Sequence, residues 1–406
     1  MKLHRHPAAF ALLILSAAAQ CCAAADRGDR PGAAATQPFK LVGELDGSGG
    51  VAVAFSADGK RLVTANARMC RVWDTRTLQP LTPPLEHGDV ISQASIDRAG
   101  NYVLTCGDAR KFRNGEYQLR GSGARVWSVK TGKLLMDVPS HGAGHSVWSA
   151  ALSADGTHVA TCAVDDPTVH VWDAVTGEPV LHFQTRGEVQ FVMYNPDGTR
   201  LLTFWSHQAA AQQWDSRTGK AIGGELPSNA DRYRHVVRPA CYSADGKLLA
   251  LAQNDQLHLY DTQRNVEIAS VTDNPIPSRD IFMCIDLTPD GRLVAATALG
   301  CGSQVWDART GHPVTDMLGG SGSEQAAISP DGKYLVFGGI DDPFAGICDV
   351  STGDTIQRLP HIGWFNRVCF SPDGSLVALT SDLQDLTCIM KRERSRPREK
   401  KRDVSE

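Results

Sequence analysis

From residue 51 to residue 390 the chain is built of short apolar segments that alternate with polar positions at a period of two and are broken by turns. One turn recurs eight times: Ser-Ala-Asp-Gly at 56–59, Asp-Arg-Ala-Gly at 97–100, Ser-Ala-Asp-Gly at 153–156, Asn-Pro-Asp-Gly at 195–198, Ser-Ala-Asp-Gly at 243–246, Thr-Pro-Asp-Gly at 288–291, and Ser-Pro-Asp-Gly at 329–332 and 371–374. Pro presets one backbone angle and Gly accepts a positive φ, so each copy predicts a tight hairpin. Three residues before the turn acid (Ala99 in the second copy) stand Phe55, Ile96, Leu152, Tyr194, Tyr242, Leu287, Ile328 and Phe370. Five before it stand Val53, Ala94, Ala150, Val192, Ala240, Ile285, Ala326 and Val368. Period-two alternation predicts a strand with one face in a core. The opposite positions are small too, at Ala54, Ser95, Ala151, Cys241, Ala327 and Cys369, which predicts strands covered on both faces.

The second half of each unit ends in Trp73-Asp74, Trp127-Ser128, Trp172-Asp173, Trp214-Asp215, Tyr260-Asp261, Trp306-Asp307 or Cys348-Asp349, and five of these run on into Thr-Gly. A third strand closing on a large aromatic, then a turn, then a polar outer strand makes a four-stranded unit. On these residues the chain resembles the WD-repeat β-propeller family over 39–390. The resemblance implies an all-β fold of eight four-stranded blades, with Phe39–Leu45 pairing with the last blade to close the ring and remove the exposed sheet edges. A seven-bladed ring with one stray unit is the alternative. Family members often lock each blade with a His, Ser/Thr, Asp and Trp network. Only fragments of it are read here: His87 and His361 twelve residues before the turn acid, and Asp165, Asp255 and Asp341 ten after it. Blade rigidity is therefore expected to rest mainly on packing.

The 406 residues would ordinarily suggest two or three domains, but eight units make one ring, because no blade can bury its faces alone. Residues 1–25 carry Lys2 and Arg5, the apolar run Ala8–Ala19 and small residues ending at Ala25, the plan of a secretory signal peptide. Its apolar run is too short to span a membrane, for which about 20 residues are needed. Cys21 and Cys22 keep a lipoprotein as the weaker option. Residues 26–38 read as a flexible linker, and 391–406, with eight basic and four acidic side chains, as a solvated tail. Of the net charge of -4, the signal contributes +2 and the tail +4, which leaves -10 for residues 26–390. The protein is thus expected outside the cytoplasm, secreted or periplasmic, without stable membrane insertion and without affinity for nucleic acid. Its cysteines are expected to be buried small side chains.

Catalytic signatures are missing: there is no Cys-x-x-Cys, His-Glu-x-x-His, Gly-x-Ser-x-Gly or phosphate-cradling loop. Asp165-Asp166-Pro167 and Asp341-Asp342-Pro343 read as hairpin turns, so no metal and no cofactor is assigned. Ser92, Gln190, Met283, Glu324 and Asn366 are expected at the channel, without a His or carboxylate cluster. The positive signal lies in loop length. From turn Gly to closing aromatic the chain runs 14 to 16 residues in blades 1 and 3 to 7, but 27 in blade 2. The extra residues lie within 108–123, and five or six more precede blades 5 and 6. These connections emerge on one face, and a rigid scaffold usually carries function on its variable loops. The face offers Arg110, Lys111, Phe112, Arg113, Tyr117 and Arg120, then Arg232, Tyr233 and Arg234, then Trp364 and Phe365, with Trp148 at the start of blade 3. Arg and aromatic residues are common interface anchors. The expectation is a monomeric, non-catalytic scaffold that binds a protein or peptide, preferably an acidic one. The alternatives are a glycan-binding module or an enzyme resembling quinone-dependent dehydrogenase or lactonase propellers.

Overall fold

The structure, a computed structural model, describes residues 38–393 apart from 49, 108–109, 114–115, 120–122, 139–140, 142–144, 164, 206–209, 228–239, 254–255, 272–281, 299–300, 320–322, 340–344, 360–364 and 382–384. All regular elements among the described residues are strands. They form eight antiparallel blades in a ring, each ordered from its first strand outward, as in Ala52–Phe55, Arg61–Ala65, Met69–Asp74 and Leu85–Glu86 of blade 1. The eighth blade takes its outer strand from the other end of the chain: Phe39–Asp46 pairs with Leu386–Arg392. That strand runs on through Lys391 and Arg392, the first residues of the expected tail.

Eight apolar clusters settle the blade count, because each sits between two successive blades. Leu104, Cys106 and Val126 of blade 2 meet Val147, Ala150 and Val159 of blade 3. Leu45, Ala378 and Ile389 of blade 8 meet Leu62 and Trp73 of blade 1, which completes the circle. The inner strands are thus covered on both faces, as their small and apolar positions require.

Local chemistry fixes the turns. Ser56 Oγ donates to Asp58 Oδ1 at 2.7 Å and accepts the Arg61 N–H at 3.0 Å, while Asp58 Oδ1 also accepts the Lys60 N–H. Those bonds favour the carboxylate and hold the Asp58 pKa below the usual range. Gly59 supplies the positive φ of 68°. In blade 2, Asp97 replaces the Ser and takes the Tyr102 N–H at 2.6 Å. The acid after each closing aromatic caps the next turn, as Asp74 Oδ1 does for the N–H groups of Arg76 and Thr77.

The outermost strands vary more. Blade 6 has three continuous strands, and its outer segment meets the third at the bridges Trp306–Pro313 and Ser303–Leu318, with the Val314 N–H donating to the Val305 carbonyl between them. Pro313 has no N–H to give to a ladder, and Thr315 Oγ1 instead accepts the Val305 N–H at 3.1 Å. Blade 1 repeats the device with a Trp73–Pro80 bridge and Thr82 Oγ1 beneath Val72 N–H at 3.2 Å.

Candidate binding face

The long connection of blade 2 forms a hairpin of its own. Arg110–Arg113 pairs with Glu116–Leu119, placing Phe112 opposite Tyr117 and Arg113 opposite Glu116. Five of the expected contact residues, Arg110, Lys111, Phe112, Arg113 and Tyr117, therefore share one two-stranded ribbon. The intervening Asn114-Gly115 is a strong hairpin signal in the sequence, and reading the insertion by its length alone misses it. Arg120, Arg232, Tyr233, Arg234 and Trp364 lie outside the described residues. Phe365 begins the inner strand of blade 8, paired with Ser381. Trp148 lies in the inner strand of blade 3, half-buried against the cluster shared with blade 4.

Inner strands of blades 1 to 4 and 8 line a cavity of about 280 Å³. Its polar lining includes Ser92, Gln93, Ser95 and Arg367, and among its lining residues there is no carboxylate, imidazole or thiol. Ser92 was expected there; on blade 8 it is Arg367, beside the expected Asn366, that lines the wall. The side chains of Met283 and Glu324 lie outside the description.

A polar network links four side chains on blade 3. The Trp172 indole N–H donates to Thr161 Oγ1 at 2.8 Å, and Thr161 Oγ1 lies 2.6 Å from His141 Nε2. His141 Nδ1 faces Asp166 Oδ2 at 3.4 Å. Among the described residues blade 2 carries three of these four members, with Trp127 and His87 meeting on Thr105 at 3.0 and 2.9 Å. Burial lowers the pKa of His87 and of His141 to about 4, against 6.5 for free imidazole; for His141 the adjoining His170 adds to the effect. Asp166 is held low by its bonds to Thr168 and by His141, although burial opposes them.

Against the WD40 family (WD domain, G-beta repeat), residues 39–74 and 132–173 match. Those two stretches carry WD40 repeats. The serine-threonine kinase receptor-associated proteins of Mus musculus and Homo sapiens are each 26% identical over 242 residues, 59% of this chain and 65% of theirs. The nuclear distribution protein PAC1 of Arthroderma benhamiae is 23% identical over 275 residues, 60% of this chain and 57% of that protein. The chain thus spans less than two thirds of these curated relatives. Among solved structures, the Cps50 (Swd1) β-propeller domain of Myceliophteria thermophila superposes with a TM-score of 0.55 at 13% identity, covering 88% of this chain and all of that one. That likeness shows the fold.

The His, Thr, Asp and Trp lock is fuller than its sequence fragments indicate. In blade 3 its histidine is His141, fourteen residues before Asp155, and its acid is Asp166, eleven after it. The one-residue offset arises because Asp165 occupies the left-handed turn position, φ 57°. A Trp-to-Thr bond also joins Trp73 to Thr64 at 2.9 Å and Trp214 to Thr203 at 2.8 Å. Blades 1 to 4 all carry that bond, so their rigidity does not rest on packing alone.

Proposed function

We propose that WD40 blades make up the whole of residues 39–392 and that the ring works as a monomeric, non-catalytic scaffold that docks a protein or an acidic peptide. The observation that carries this reading is the hairpin Arg110–Leu119, an extra ribbon rich in Arg, Lys and aromatic residues on an otherwise regular ring. Such residues on a body of net -10 suit an acidic partner. Association with a partner, which the name of the receptor-associated relatives states for them, is the same mode of action. We place this activity outside the cytoplasm, on the signal-like residues 1–25.

A photo-crosslinking residue at 112 or 117 is expected to trap the partner, and one at Asp58, in a turn at the other end of the strands, is not. Equal or reversed labelling would refute the face assignment. For location, alkaline phosphatase fused behind residues 1–38 should be active only if exported; an inactive reporter sinks that part of the proposal.

A further inference from the structure

The residue six places before each turn acid (Ala99 in blade 2) recurs at one register along the chain. In blades 2 and 3 it serves the wall between blades: Gln93 Oε1 accepts the Ala150 N–H at 3.4 Å, and Ser149 Oγ accepts the Val192 N–H at 3.5 Å. In blade 4 it is Phe191 and in blade 8 it is Arg367, and both line the cavity of about 280 Å³. The walls of that cavity come from blades 4 and 8 and from the three blades between them, so it occupies the channel of the ring. Four steps around an eight-bladed ring lead to the opposite side. Arg367 and Phe191 therefore stand on facing walls, one cationic and the other aromatic. We propose that the channel binds a small organic monocarboxylate, with its anionic head on Arg367 and its apolar body against Phe191 and Met193.

Charge selects the head. Arg367 is the one charged side chain among the described residues that line the cavity. It is half-buried, and its Nη1 gives one of the five N–H donors of a guanidinium to the Asn366 carbonyl at 3.1 Å. The planar fork of a guanidinium matches the two oxygens of a carboxylate. Ser92 Oγ, also on the wall, donates to the carbonyls of Cys106 and Gly107 at 3.3 and 3.2 Å, which leaves recognition of the charge to Arg367. Shape and polarity select the body. The Phe191 ring stands edge-on to Phe204, 5.8 Å away between centres, and Met193 lines the cavity beside it. Val51, Val53, Ala94 and Ala150 add small apolar surface. An apolar lining with few placed polar groups is the usual make-up of a small-molecule site. A cavity of about 150 Å³ holds benzene, so this one takes a ring with a short acid chain. The blade 2 ribbon has no part in the site, so the two bind independently.

The test titrates phenylacetate into the full chain by calorimetry, beside phenethylamine and phenethyl alcohol, which keep the ring and change the head. One phenylacetate per chain is expected, bound about tenfold or more tighter than either analogue, because charge-assisted hydrogen bonds are about twice as strong as neutral ones. Arg367→Gln should lose about the same factor, and the analogues give the same contrast without any variant. A diazirine on the phenyl ring should label the peptide that holds Phe191 and Met193. A hexapeptide ending in a phenylalanine carboxylate carries the same head and ring on a longer chain and should bind more weakly than the free acid. No binding by the wild-type chain, equal affinity for the amine, equal affinity in Arg367→Gln, or labelling outside blades 1 to 4 and 8 overturns the proposal. Tighter binding of the hexapeptide overturns it as well and makes the channel a peptide site.

Discussion

Gln357 holds both backbone groups of Phe39: the Phe39 N–H donates to Oε1 at 3.1 Å, and Nε2 donates to the Phe39 carbonyl at 2.7 Å. Gln357 lies on the outer strand of blade 7, and Phe39 begins the strand that closes blade 8, so one amide ties the chain's first strand to a blade formed 318 residues later. Arg392 adds to the closure, with Nη1 2.8 Å from Asp331 Oδ2 and its guanidinium 4.6 Å above the Tyr334 ring. Gln357→Ala leaves a buried N–H and a buried C=O without partners, at about 1–3 kcal/mol each. The expected result is a lower urea midpoint with an unchanged m value. Deletion of 38–46 should abolish the cooperative transition, and a truncated protein that melts like the full chain would contradict the closure.

The Trp-to-Thr bond divides the ring in two. Blades 1 to 4 have it; at the matching positions blades 5 to 8 carry Leu251 with Tyr260, Ala296 with Trp306, Phe337 with Cys348 and Leu379 with Met390. In blade 6 the buried Trp306 Nε1 accordingly has no partner. Thr203→Val strands the Trp214 N–H and should cost about 1–3 kcal/mol, whereas Ala296→Thr supplies the missing acceptor and should gain up to about 1 kcal/mol. Chemical denaturation of both variants measures the contrast, and a loss in each would show that packing outweighs the bond.

How much of this was legible in sequence depends on the range of the interaction. The Asp-Gly turns are made within six residues, as Ser56 to Arg61 shows, so their spacing alone conveys eight blades. The closing strand follows from strand count. His141 and Asp166 escape a fixed-offset reading, because the loops that bear them vary in length while the contact they make is set by Thr161. The broken outer segment of blade 6 turns on Pro313 and a Thr side chain substituting for a backbone group. Five of the twelve expected contact residues fall in the blade 2 ribbon, where Asn114-Gly115 announces a hairpin locally; which partner it meets is not encoded in the ring's own packing.

Stability should fall as the medium is acidified from pH 6.5 to 4. His87 and His141 have folded pKa values near 4, below the 6.5 of the unfolded chain, so between these values the unfolded state binds more protons. Each histidine then contributes a slope of up to about 1.4 kcal/mol per pH unit, with stability rising as pH rises. Below that window the turn carboxylates, Asp58 and Asp173 among them, are also depressed and add a further loss. Urea midpoints test this. His170 is lowered too, so His87→Gln should remove part of the slope between pH 6.5 and 4, and an unchanged slope would mean that His87 does not titrate on unfolding.

Blade 7 replaces the Thr–Trp pair by an exchange of volume. Phe337 stands where blades 1 to 4 have Thr, Cys348 where they have Trp, and Gly346 faces Phe337 across the strands. A Cβ at Gly346 would come within 2.6 Å of Phe337 Cζ, and both Phe337 and Cys348 are buried in the cluster shared with blade 6. The phenyl ring thus fills space given up by an indole on one neighbour and by a side chain on the other. Cys348→Trp alone overpacks this site and should cost at least about 1–3 kcal/mol. Phe337→Thr alone leaves a cavity and an unneeded hydroxyl, and should cost about 3–5 kcal/mol, as large-to-small core changes do. Made together they rebuild the bond of the first four blades, so the two costs should not add. A double-mutant cycle by urea denaturation is expected to give a favourable coupling of about 1–3 kcal/mol. Additive losses would mean that the two residues fill separate spaces.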